Sequence, residues 1–194
     1  MEWAIEHVKT YGKPIAATIC IGPNGDEDGV SVDECAVRMA KAGADLVGLN
    51  CLFDPFIMLD VMKTMKEALD KEGLKPFLMC QPLGYKTPDA GNMGWIDLPE
   101  FPYATEPRHL TRIEAMTYAR EAYDLGVRYI GGCCGFESYH IRAMAEELQA
   151  ERGGRLPEGS RKSEFARGLF MTAARAKANP KCYAHKYVLN LIFD

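Results

Sequence analysis

The sequence predicts an α/β fold of parallel strands, on three observations. Short apolar runs recur at residues 14–22, 44–51, 76–83 and 127–132, each too uniformly apolar to keep a solvent face. A stretch with helical spacing of apolar residues follows each run, and Gly, Pro or a capping residue marks most junctions. Strand then helix, repeated, is the pattern of parallel strands joined by right-handed crossovers.

Taken in order, Trp3, Ala4, Ile5 and Val8 read as the end of an amphipathic helix stopped at Gly12. No capping residue stands ahead of it, so the chain is expected to begin inside an element. The first strand, PIAATICIG, closes at Gly22-Pro23-Asn24-Gly25. Ser31 with Glu34 three residues on predicts a capping box, and Ala36, Val37, Met39 and Ala40 give the buried stripe until Gly43. After the second run, Asp54-Pro55 opens a helix carried by Ile57, Met58, Val61, Met62, Met65 and Leu69 and ending near Gly73. The third run leads into residues 84–110, rich in Gly, Pro and aromatics; loops of this length in a compact domain are usually functional. Thr111 with Glu114 predicts a second capping box for a helix over 112–125, stopped by Gly126. The fourth run enters Cys133-Cys134-Gly135, and a last helix is expected over 139–149.

Doubly wound sheets and eight-unit barrels both alternate in this way. No G-x-G-x-x-G follows the first or second strand, which favours the barrel. Such a barrel takes about 250 residues and eight βα units, whereas four units are legible here. The expectation is therefore half of a (β/α)8 barrel over residues 1–152. Residues 153–194 turn rich in Gly, Arg, Lys and Ser, with a weak helical stretch at 164–178, Pro180 and an apolar tail, YVLNLIF. They read as an appendage outside the barrel.

Charge and composition narrow the function. The 194 residues carry net charge −4, with 23 Lys plus Arg interspersed among 27 Asp plus Glu, so neither nucleic acid nor an anionic membrane is an expected partner. No stretch approaches the roughly 20 apolar residues of a membrane span, and the amino terminus, MEWAIEHVKT, is charged where a signal peptide would be apolar. A cytoplasmic protein is expected. In a reducing compartment the seven cysteines, an odd number, read as thiols or metal ligands before disulfides.

Barrel chemistry gathers at the carboxyl ends of strands. Cys51 ends the second run and Cys133-Cys134 follow the fourth, so three thiols from two strand ends would face the same side. That set suits tetrahedral zinc with its fourth position open to substrate. Adjacent strand residues point to opposite faces, so Cys133 and Cys134 can share an ion only if the chain leaves extended geometry, which Gly131, Gly132 and Gly135 permit. From spacing alone a vicinal redox disulfide stays open beside zinc. Cys20, Cys35 and Cys80 read as small core residues, and Cys182 has no functional reading.

Three segments, VGLNCLFDP (47–55), GWIDLPEFPYATEPR (94–108) and VRYIGGCCGFESYHIRAMAEEL (127–148), closely resemble the betaine-dependent homocysteine S-methyltransferases. The resemblance runs from about residue 3 to 152 and implies that these residues are the carboxyl-terminal half of the family's (β/α)8 barrel. It implies zinc held by Cys51, Cys133 and Cys134, homocysteine as the fourth ligand through its sulfur, and methyl transfer from betaine to give methionine and dimethylglycine. It also implies a homo-oligomer in the full-length form. The family's amino-terminal half-barrel, with an Asp-Gly-Gly strand end, an acidic group for the homocysteine amine and aromatics around betaine, has no counterpart here. An isolated chain is thus expected to carry the metal ligands without much of the substrate pocket. Beyond residue 153 the likeness to the family's oligomerisation arm is faint, in ARGLFMTAARAKANPKCY (166–183).

Two further readings stand beside the enzyme: a non-catalytic zinc-binding half-barrel that associates with another chain, and a metal-free redox switch on the cysteine pair. In the long loop Tyr85, Trp95, Phe101 and Tyr103 either line a betaine site or pack the loop. Asn50 is expected to point away from the metal and to bond backbone or ligands. His7, His109, His140 and His185 read as surface or capping residues. No role is assigned to Asp97, Glu106 or Arg108.

Overall fold

The computed structural model describes residues 1–155 and Leu191–Ile192. Four parallel strands, β1 (Ala16–Ile19), β2 (Leu46–Asn50), β3 (Phe77–Gln81) and β4 (Val127–Ile130), lie in chain order across one sheet. Five helices accompany them: α1 (Glu2–Lys9), α2 (Val32–Ala42), α3 (Pro55–Lys71), α4 (Arg112–Leu125) and α5 (Ser138–Glu147). The α/β expectation holds, strand for strand. A two-residue strand, β5 (Leu191–Ile192), adds antiparallel to β4, with Tyr129 opposite Ile192. This pairing places the last described residues of the tail on the sheet edge. Other expectations for the tail, the 164–178 helix, Cys182 and His185, lie outside the described residues.

Local chemistry accounts for the boundaries. Ser31 caps α2 by accepting from Glu34 N–H, and Gly43 ends it in the left-handed conformation at φ 107°. The reciprocal half of that capping box is absent from α2, where Glu34 pairs with Arg38 instead. At α4 the box is complete: Thr111 and Glu114 each satisfy the other's backbone N–H, and Gly126 ends the helix at φ 107°. Asp54 caps α3, and Pro55 takes the first helical position, where its missing N–H costs nothing. The core forms where helix stripes meet the sheet: Met58, Met62, Met65, Ala36, Met39, Tyr118 and Met144 lie against Val47, Leu49, Cys80 and Ile130. Gly48 is required by contact, since a Cβ there would stand 2.0 Å from the Met79 carbonyl oxygen on the neighbouring strand.

The strands are shorter than the apolar runs. Residues 20–22, 51 and 131–132 leave the ladder, and these departures occur at the carboxyl edge, where the loops cluster. Residues 84–110 contain two short 3-10 turns, Gly94–Asp97 and Glu106–Arg108, and return to their start: Leu110 N–H donates to Gly84 C=O. No helix among the described residues is long and apolar enough to cross a membrane.

Candidate metal centre

The strand order puts β3 between the two cysteine-bearing strands. At about 4.8 Å per strand spacing, the ends of β2 and β4 stand roughly 9.6 Å apart, too far for their side chains to share an ion without help. Two turns close the gap over the end of β3. Cys51 N–H donates to Gln81 C=O, and Cys133 N–H donates to Pro82 C=O, so two consecutive residues at the end of β3 anchor one cysteine segment each.

The Cys51 turn is left-handed at two consecutive non-glycine residues, Cys51 (φ 58°) and Leu52 (φ 60°). The other turn is a hook. Past Ile130 the chain leaves the strand, Gly135 takes φ 82°, and Phe136 N–H donates back to Cys133 C=O. Gly132 is demanded by proximity, because a Cβ there would fall 2.1 Å from the Phe136 ring. Gly84 lets the long loop press on the hook: its N–H donates to Cys134 C=O at 2.7 Å, and an added Cβ would meet the Gly135 backbone at 2.4 Å.

These turns bring three sulfurs together. Cys51 Sγ and Cys134 Sγ are 3.8 Å apart, Cys133 Sγ and Cys134 Sγ 3.9 Å, and all three lie within 4.8 Å of one another. A tetrahedral zinc with Zn–S bonds of about 2.3 Å requires sulfur–sulfur edges of about 3.8 Å. The donor set and its spacing therefore fit the ion. Burial and the neighbouring Cys51 thiol push Cys133 up to about 12, and burial together with Cys51 raises Cys134 as well. Ionising such a cluster calls for a compensating cation.

Cys20, expected in the core, is exposed at the end of β1, and Asn50 Nδ2 donates to its sulfur at 3.0 Å. It belongs to the same rim because β1 ends at Ile19, one residue short of it. Asn50 thus bonds a thiol beside the trio. Cys35 and Cys80 are buried, as expected.

Among the loop aromatics, Tyr85 stacks on Trp95, Trp95 meets Phe101 edge-on, and Tyr85 packs against His109. Tyr103 is 92% exposed. The packing alternative fits the first three, and Tyr103 joins neither arrangement. Arg108 pairs with Asp89 and Glu100 and so braces the loop. His140 is buried and meets the capping half of its expectation: its Nδ1 accepts from Glu137 N–H at the start of α5, and its Nε2 lies 2.6 Å from Leu110 C=O. Sequence reasoning passed over Thr87; Asp54 was visible at a helix start and His140 as a capping residue, but their bonds to the long loop were not.

The sequence profile described as Homocysteine S-methyltransferase matches residues 1–148. Betaine–homocysteine S-methyltransferase 1 of Bos taurus is 63% identical over 170 residues, covering 87% of this chain and 42% of the relative. The Danio rerio protein of that name is 63% identical over 161 residues, covering 83% and 40%. An S-methylmethionine–homocysteine S-methyltransferase of Rattus norvegicus is 54% identical over 169 residues, covering 87% and 47%. The chain spans less than half the length of these relatives. The profile nonetheless covers most of it, including all three clustered cysteines: the chain belongs to the homocysteine S-methyltransferase family.

Proposed function

We propose that this chain is the metal-binding half of a zinc-dependent methyltransferase that moves a methyl group from betaine to homocysteine, giving methionine and dimethylglycine. The convergence of Cys51, Cys133 and Cys134 carries the reading: three soft donors at tetrahedral spacing leave a fourth position for a substrate sulfur. Held by Cys51, Cys133 and Cys134, zinc would lower the pKa of a coordinating thiol and so keep a substrate sulfur ionised at neutral pH. The chain's own part is placement. Gln81 and Pro82 carbonyls fix both cysteine backbones, and the Tyr85 side of the long loop closes over the hook at Gly135. In the transfer a C–S bond forms as a C–N bond breaks, so the protein need only align donor and acceptor and exclude water.

Residues 1–152 then form half of an eight-stranded barrel, and 153–194 a remnant of an oligomerisation arm. All-parallel sheets are covered on both faces, yet Ala16 and Phe77, which flank Leu46 on one rung, are exposed, Phe77 by 58%. That exposed rung, with Met79 on the same face buried, supports a complementary half-barrel as cover for this end of the sheet, either from a longer form of the protein or from another chain. The second case gives the alternative function, a non-catalytic zinc-binding half-barrel. A reducing compartment such as the cytoplasm suits three clustered thiols.

Zinc content per folded chain, measured after purification under reducing conditions, tests the metal. Near one zinc in the parent and little in the Cys133→Ser, Cys134→Ser variant is expected; negligible zinc in both overturns the reading. Methyl transfer to homocysteine, assayed with betaine and separately with S-methylmethionine, then assigns the donor. Full zinc without transfer from either favours the non-catalytic alternative.

A further inference from the structure

The Cys51 turn is held by one buried side chain that helix capping explains only in part. Asp54 Oδ1 accepts from Phe56 N–H and Ile57 N–H at 3.0 and 3.1 Å, which is the whole task of an N-cap. Its Oδ2 does something else. It accepts from Thr87 N–H at 2.8 Å and from Thr87 Oγ1 at 3.2 Å, while Asp54 N–H donates to Thr87 Oγ1 at 2.9 Å. Both side chains are buried, Asp54 at 5% and Thr87 at 1% exposure, and they join the α3 start to the long loop across 33 positions of sequence.

Between β2 and that clamp lie only Cys51, Leu52 and Phe53. Leu52 C=O accepts from Trp95 N–H, and Phe53 C=O accepts from Leu83 N–H. Left-handed backbone at two consecutive L-residues persists only where the surroundings over-determine it. Besides the local bond from Phe53 N–H to Cys51 C=O, the fixing bonds lead to residues 81–95, and the Asp54–Thr87 pair ends the turn.

We infer that Asp54 is a positioning residue for the metal centre: bonded to Thr87, it locks the left-handed Cys51–Leu52 turn that aims the Cys51 sulfur at Cys134. The inference rests on the zinc reading for its consequence, though the lock itself is a matter of thiol placement. It assigns Thr87 the same role from the opposite side.

Asp54→Asn separates capping from locking. Asn caps helices about as well as Asp, but one amide terminus cannot accept the two bonds from Thr87. Thr87→Val removes the hydroxyl from the other side. Two readouts are taken on the full chain: cobalt(II) affinity from the sulfur-to-cobalt charge-transfer band, and, on metal-free protein, dibromobimane cross-linking of Cys51 to Cys134 followed by peptide mapping. Far-UV circular dichroism and urea midpoints check folding. Expected are cobalt affinities weaker by about tenfold or more in both variants, loss of the Cys51–Cys134 cross-link, a near-parental fold, and a double variant no worse than either single one. Parental cobalt affinity and cross-linking in Asp54→Asn overturn the inference. If the parent itself takes up no cobalt, the zinc reading fails, and the cross-linking result still decides whether Asp54 places the thiol.

Discussion

Gly135 combines two demands in one residue: φ 82°, and a neighbouring Tyr85 ring that an added Cβ would meet at 2.6 Å. Gly135→Ala is expected to cost about 1–3 kcal/mol in urea unfolding and to weaken cobalt binding, because the hook must open to admit the methyl group. Unchanged unfolding and cobalt affinity would show that the hook tolerates other geometries. At this scale the site was half legible. Glycines around Cys133 and Cys134 announced a departure from extended backbone, since glycine is the default residue for such conformations. Nothing announced the left-handed turn at Cys51 and Leu52, where L-residues are uncommon. Its cause lies in bonds to residues 81–95, which no local pattern records. Cys20 misled for a related reason: an apolar run shows that a strand is buried, and not where the ladder stops.

Between elements, His140 joins the long loop to the start of α5. Burial, foremost, lowers its pKa below the usual 6.5; nearby His109 acts in the same direction, while the Leu110 carbonyl, Glu137 and Glu114 oppose it. The unfolded chain therefore takes up this proton at a higher pH than the folded one. Stability from this residue is full above about pH 6.5 and is lost as pH falls from there towards the folded value. Urea unfolding of zinc-free protein across about pH 5 to 8 should show that slope, and His140→Gln should flatten it while lowering stability throughout. An unchanged slope in the variant would assign it to other groups. A simpler test concerns α4: Thr111→Ala removes one side of its capping box and should cost about 1 kcal/mol. The helices were legible because their ends are chemical, in Ser31, Asp54, Thr111, Gly43 and Gly126. The two 3-10 turns of the long loop were not. Contacts set them: Trp95 N–H reaches Leu52 C=O, and Arg108 reaches Asp89 and Glu100.

Across the whole molecule, the two faces of the sheet differ. Helices cover one face of the sheet, while on the other Phe77 and Ala16 meet solvent. Exposed apolar residues occur elsewhere, as at Ile113 on α4, but scattered single residues need no partner, whereas a parallel-sheet face does. The open face should therefore drive association when the chain is alone in solution. Light scattering on purified protein is expected to show mass rising with concentration. Phe77→Glu should shift that rise to higher concentration, and Ile113→Glu, equally drastic on the helical side, should leave it unchanged. If both substitutions act alike, association comes from general surface hydrophobicity. If neither acts and the parent stays monomeric, the face tolerates water, and a half-barrel in need of its complement is the wrong description. The cysteine trio makes the distinction consequential, because Cys51, Cys133 and Cys134 sit at the rim of this same sheet. A covering half would bring further groups towards the three thiols, and a bare face leaves them to solvent.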